Sequence, residues 1–235
     1  SKGDANFTKF VSIGNSLTSG YRDGALYIDG QNESFPSMMA KQMALAGGGT
    51  FKQPLMADNL GGIKAVGFLD KLELKVINGS LLPVRNEDPT KIMGTTTLAN
   101  ILSAGPYQNM GVPGAKSFHL GLAGYGNPAA LSAGAANPYF VRFASSTTAS
   151  VIGDAVAQAP TFFSLWIGNN DVLSYATSGG AGIDRTGNTN PATYGSNDIT
   201  DPGVVASVIS GYVNALTAGG AKGVIANIPN VTSIP

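Results

Sequence analysis

The chain has no cysteine, and this excludes a disulfide framework, a thiolate metal site and a thiol nucleophile together. Histidine is nearly absent, with His119 the single copy. Charge is scarce as well: 12% of residues are charged, 14 basic against 14 acidic, and no basic stripe interleaves with aromatics. Nucleic acid is therefore not an expected partner. Long hydrophobic runs are missing too, since the best of them, such as 162–167, fall far short of the roughly 20 residues of a membrane span, and the chain is expected to be soluble. No basic start with an apolar core follows Ser1, so no signal peptide is visible, although a mature exported protein would look the same. What the chain does have is 235 residues at 43% hydrophobic content, enough to bury one substantial core. A single domain over 1–235 is the expectation. Four Asn-x-Ser/Thr triplets begin at Asn6, Asn32, Asn78 and Asn230, a number that a Gly- and Asn-rich chain produces by chance.

The apolar run at 10–13 is halted by Gly14, and Phe35, Met38, Met39, Gln42 and Met43 then recur at helical spacing. This predicts a strand, a turn and a helix over 34–46, with Ser34 as N-cap, Pro36 in the first turn and the glycines at 47–49 ending it. Further strands are predicted at 107–112, before Pro113-Gly114, and at 161–167, between Pro160 and Gly168. A helix over 202–216 presents Val205, Val208, Ile209, Tyr212, Val213 and Leu216 on one side, and a fourth strand follows at 223–228. Apolar strands alternating with helices predict an α/β fold: a parallel sheet covered on both faces, with ligands at the carboxyl ends of its strands. Residues 50–105, with a strand at 72–77, and the polar stretch 177–201 read as long excursions, either binding loops or mobile connections.

Three short motifs end the first three strands. Gly14-Asn15-Ser16-Leu17-Thr18-Ser19-Gly20 places a serine where a strand end opens into the ligand crevice, though serines in such positions also start turns or cap helices. It is not a phosphate loop, because Tyr21 stands where Lys is needed, nor a G-x-S-x-G elbow, because Thr18 stands two after Ser16. Asn109-Met110-Gly111-Val112-Pro113-Gly114-Ala115 offers a glycine N–H to a ligand, or a plain Pro-Gly turn. Gly168-Asn169-Asn170-Asp171 offers a side-chain amide to a developing oxyanion, or an Asn-rich turn.

Taken together and in this order, the three motifs resemble the first three blocks of the SGNH hydrolases, the GDSL-like lipases and esterases, over residues 10–228. The extended start G-N-S-L-T-S-G-Y, with D-G-A-L-Y and S-F-P after it, most resembles the GDSL-like lipoproteins of Bacteroidetes. The resemblance implies a three-layer α/β/α, flavodoxin-like fold and a serine ester hydrolase (acylhydrolase, esterase or deacetylase) acting on a lipid, carbohydrate or small-molecule ester. It implies Ser16 as nucleophile and the Ser16 N–H, the Gly114 N–H and the Asn170 amide as oxyanion donors converging on one spot about 3 Å from each. It requires no metal and no cofactor, and it implies export with a lipid anchor.

The sequence departs from the family twice. Asn15 replaces the usual Asp before the nucleophile, keeping a side chain that supports the turn. The Asp-x-x-His pair near the family's C-terminus has no match: His119, five residues past Gly114, reads as a surface or capping histidine, and no Lys or Arg falls within the three motifs. The expectation is a chain that stops before a fifth strand and closing helix and is almost inactive, its exposed sheet face covered by a second copy or a C-terminal fragment. The alternative is a non-catalytic module that binds an acylated or glycan ligand. A nucleotide-binding doubly wound domain is disfavoured for want of a glycine fingerprint. Residues 177–201 are expected over the carboxyl edge of the sheet and, with little apolar area, loosely held.

Overall fold

The computed structural model describes residues 3–85 and 94–230. Residues 86–93 of the first excursion lie outside the described residues, as do 1–2 and 231–235, on which the expectations about the two ends of the chain fell. The strands of the described residues run in chain order as β1 (Phe10–Gly14), β2 (Gly61–Ile63), β3 (Phe68–Asp70), β4 (Glu73–Ile77), β5 (Ser80–Val84), β6 (Asn109–Gly111), β7 (Phe162–Trp166) and β8 (Lys222–Ile225). The α-helices are α1 (Ser16–Ser19), α2 (Ile28–Asn32), α3 (Phe35–Ala44), α4 (Pro138–Val141), α5 (Val151–Ala157), α6 (Asn170–Thr177) and α7 (Pro202–Thr217). None of these helices is long and apolar enough to cross a membrane.

All five residues of β1 are buried, which is why its sequence does not alternate apolar with charged or exposed polar residues. β1 lies inside a four-stranded sheet of order β6-β1-β7-β8, every pairing parallel. The chain therefore leaves β1 toward one side of the sheet and later returns to the other, and a ligand crevice is expected beyond the carboxyl ends at that reversal, between β1 and β7. On one face Val11, Ile13, Phe163 and Leu165 are buried with Val151 and Ala155 of α5 and Tyr212 and Leu216 of α7. On the other, Phe10 stacks on Phe51 at 5.3 Å and Trp166 meets Phe35 of α3 at 5.5 Å. Helices thus flank a mixed α/β sheet on both sides, an arrangement compatible with three layers. Ser12 and Ser164, buried on neighbouring strands, satisfy each other with their Oγ atoms 2.7 Å apart.

Several boundaries differ from the sequence reading for identifiable reasons. The strand expected at 107–112 shortens to β6 because Gln108 bonds to a loop: its N–H donates to the Lys52 carbonyl at 2.9 Å and its Oε1 accepts from the Lys52 N–H at 2.7 Å. The strand expected at 223–228 becomes β8 because its pairing to β7 ends at Leu165 and Ile225. β8 is an edge strand, with Val224 and Ile225 exposed. α3 starts as expected, the Ser34 Oγ accepting from the Ser37 N–H. α7 buries Tyr212 and Leu216 of the expected stripe and extends it to Val204.

The two excursions are more ordered than their composition suggests. The strand expected at 72–77 is β4, and it pairs with β5 through Asn78 and Gly79, which adopt φ of 51° and 81°. Positive φ at both central residues is what a two-residue type I′ hairpin demands. β2 and β3 close a second small core of Leu26, Met56, Ile63 and Tyr139. Residues 177–201 lie beside the ends of β6 and β7, as expected, but they are tethered rather than loose. The buried Asp198 carboxylate accepts from the N–H groups of Ile183 at 2.9 Å and Gly195 at 2.7 Å and from the Arg185 guanidinium. The Asp198 carbonyl accepts from Lys116 Nζ at 2.6 Å, and the Thr200 N–H donates to the Asp171 carbonyl at 3.0 Å. Charge-assisted hydrogen bonds here replace the missing apolar area.

Candidate active site

β1 delivers Ser16 into the crevice through a turn that only glycine can begin. A Cβ on Gly14 would lie 2.1 Å from Thr18 Oγ1 and 2.4 Å from the Trp166 carbonyl oxygen. Asn15, 1% exposed, then caps α1 by accepting from the Leu17 N–H at 3.1 Å, and its Nδ2 donates to Asn169 Oδ1 at 3.3 Å. Ser16 is the first residue of α1 and is half-buried. Neither its hydroxyl nor its N–H has a hydrogen-bond partner among the described residues. α1 fits closely over β6, where a Cβ on Gly111 would lie 2.3 Å from the Ser19 nitrogen.

β6 exits through a turn in which the Ala115 N–H donates to the Val112 carbonyl at 3.1 Å, with Pro113 and Gly114 between them. Gly114 has φ of 82°, so the turn has the type II pattern, proline first and a left-handed glycine second. Asn137, the N-cap of α4, donates from Nδ2 to the Pro113 carbonyl at 2.8 Å. A trans peptide is planar with its C=O and N–H opposed, so Asn137 turns the Gly114 N–H away from itself. That N–H also has no partner among the described residues. Asn137 gave no signal in the sequence, because a capping asparagine before a proline looks the same wherever it occurs.

Asn170 opens α6 after β7, and its Nδ2 donates to the Ala115 carbonyl at 2.9 Å. The structure therefore brings Ser16 and Gly114 to one cavity but holds the Asn170 amide against the residue after Gly114 rather than in the cavity lining. The physical reason is that the buried Ala115 carbonyl needs a donor, and Asn170 is the one that reaches it.

Asp171, the last residue of the third motif, anchors a polar cluster with residues that follow the second. Asp171, 1% exposed, accepts from the Ser117 N–H and Oγ, each at 2.7 Å, while the Tyr212 hydroxyl donates to the Ser117 carbonyl at 2.9 Å. Burial pushes the Asp171 carboxyl up and the neighbouring Lys116 ammonium down from their ordinary values. His119 belongs to this cluster and does not line the cavity. Its Nδ1 accepts from the Lys116 N–H at 3.0 Å, and its ring stacks on Tyr125 at 4.8 Å. The capping role expected for it is seen, but the surface position is not: burial, then the Lys116 ammonium, pushes the imidazole down to about 4.

The cavity has a volume of about 460 Å³ and is lined by Ser16, Gly114, Tyr21, Phe68, Tyr139 and Arg85 among others. Among the described residues, none that lines the cavity is a histidine or a carboxylate. Burial raises the phenols of Tyr21 and Tyr139, so neither provides a phenolate near neutral pH. What the lining offers is a free hydroxyl, two free backbone N–H groups and one cation. No family model, no curated protein and no solved structure matches this chain.

Proposed function

We propose that the chain is a serine ester hydrolase with the three-layer, flavodoxin-like fold of the SGNH hydrolases, acting on a lipid, carbohydrate or small-molecule ester. The observation that carries this reading is that Ser16 and Gly114 share one cavity, the Ser16 hydroxyl and both N–H groups having no hydrogen-bond partner among the described residues. In this reading Ser16 Oγ attacks the ester carbonyl carbon and loses its proton to a base. The carbonyl oxygen takes the negative charge beside the N–H groups of Ser16 and Gly114. The alcohol leaves with a proton, and water then cleaves the acyl-enzyme and restores the serine. Asn170 steadies the Gly114 turn through Ala115, and its second amide hydrogen serves the oxyanion if the side chain turns.

Among the described residues the lining supplies no base, and this favours a second reading, a module that binds an acylated or glycan ligand without cleaving it. Imidazole added in solution separates the two. The hydrolysis of 4-methylumbelliferyl butyrate is to be compared for the wild-type chain and Ser16→Ala, with and without imidazole. The esterase reading expects a Ser16-dependent rate that rises with imidazole, because free imidazole takes the place of the base. Equal rates for the two proteins under every condition would overturn it and leave the binding module.

A further inference from the structure

We propose that Arg85 is the specificity-determining residue of this cavity and that it selects esters whose acyl chain ends in a carboxylate, an inference that rests on reading the cavity as the site of ester cleavage. Arg85 follows β5 and lines the same cavity as Ser16. Two of its N–H groups are fixed on backbone carbonyls, Nη1 donating to Asp70 at 2.6 Å and Nη2 to Gly24 at 3.1 Å. A guanidinium carries five donors, so the rest of the fork has no partner among the described residues. No carboxylate among the described residues pairs with it. Room is made for it deliberately: Gly24, at φ of 70°, would bring a Cβ within 2.4 Å of Nη2.

A cation that is anchored on carbonyls, paired with no carboxylate among the described residues and set in the same cavity as Ser16 is a device for binding an anion. Its planar fork matches a carboxylate in two-pronged geometry. It is also the one charged side chain in the lining among the described residues, so a single negative charge balances it, whereas a doubly charged phosphate would leave one charge unmatched. Phe68, Leu69 and Tyr139 line the same cavity and suit a short hydrocarbon segment joining the ester to the anion.

The test measures binding first, in Ser16→Ala protein, so that no turnover is needed. Monomethyl succinate is compared with methyl levulinate, its neutral near-isostere, by titration calorimetry. The expected preference for the anion is about tenfold, the scale of a hydrogen bond to a charged group. It should vanish when Arg85→Gln is added, be partly kept by Arg85→Lys, and shrink as salt is raised, a readout that needs no variant to fold. Equal binding of the two esters, or stronger competition by inorganic phosphate than by succinate, would overturn the proposal. Hydrolysis by the Ser16-containing chain is then measured on the same esters. Anion preference without hydrolysis keeps the subsite and removes the catalytic reading. Ser16-dependent hydrolysis with no preference keeps the catalytic reading and removes the subsite.

Discussion

Replacing His119 by Asn should flatten the dependence of stability on pH between about 4 and 6.5, because it removes the only histidine of the chain. In the folded protein the imidazole titrates at about 4, held down by burial and by the Lys116 ammonium, against about 6.5 in an unfolded chain. Within that window the unfolded state binds a proton that the folded state does not. Stability is therefore fully present above pH 6.5 and is lost as pH falls toward 4. At 1.36 kcal/mol per pKa unit the whole effect is about 3 kcal/mol, and about 2.5 kcal/mol of it is lost by pH 4.5. These figures are ceilings, since the ring is only partly buried and water screens the rest. Asn places Oδ1 where Nδ1 now accepts from the Lys116 N–H, so the variant keeps the cap and loses only the titration and the stacking on Tyr125. Urea unfolding at a series of pH values should give the wild type the steeper slope. A proton NMR titration of the single imidazole should show a midpoint well below 6. A midpoint near 6.5, or equal slopes for the two proteins, would refute the placement of His119 in a desolvated cluster.

Two further outcomes follow from the same network. Asp171→Ala removes the acceptor of both Ser117 bonds and leaves those donors buried, so it should cost about 3–5 kcal/mol and lower Tm by roughly 10 °C in a thermal melt. Asn137→Asp keeps the Oδ1 that caps α4 through the Tyr139 N–H but replaces the donor to the Pro113 carbonyl by an oxygen that repels it; Tm should fall by several degrees, while Ser16-dependent kcat should fall on the order of tenfold with KM nearly constant, as for a misplaced oxyanion donor.

The legible parts of the fold are those where burial imposes a period or a cap imposes a residue type. β1 and β7 are covered on both faces, so their runs are apolar but for Ser12 and Ser164, which satisfy each other, and α3 is announced by Ser34 and Pro36. α5 was not predicted: it has seven residues with Gly153 among them, too few turns to establish a period. α6 was hidden because Asn169-Asn170-Asp171 has the composition of a turn, and only the finished structure shows that Asn170 and Asp171 face Ala115 and Ser117. β5 was missed although Asn78-Gly79 is a strong hairpin signal, because Pro83 broke the run after it. The order that Asp198 imposes on 177–201 has no sequence signature, since one carboxylate gathers donors from both ends of a polar segment. Arg85 was invisible for a related reason: its surroundings come from Gly24 and Asp70, distant in the chain, and no local pattern carries that encounter.

Asn15 shows how far the candidate site depends on the sheet rather than on its own turn. A carboxylate there could accept the Leu17 N–H as Asn15 does, but it has no hydrogen to give. The carboxamide accepts with Oδ1 and donates with Nδ2 to Asn169, two residues beyond the apolar end of the third motif's strand. This bond is within reach because β1 and β7 run parallel with Gly14 opposite Trp166, so the two chains leave the sheet side by side. The residue before the serine thus ties the first motif to the third, while Asn170 ties the third to the second through Ala115. Each motif is weak when read alone because its side chains are chosen for partners in the other two.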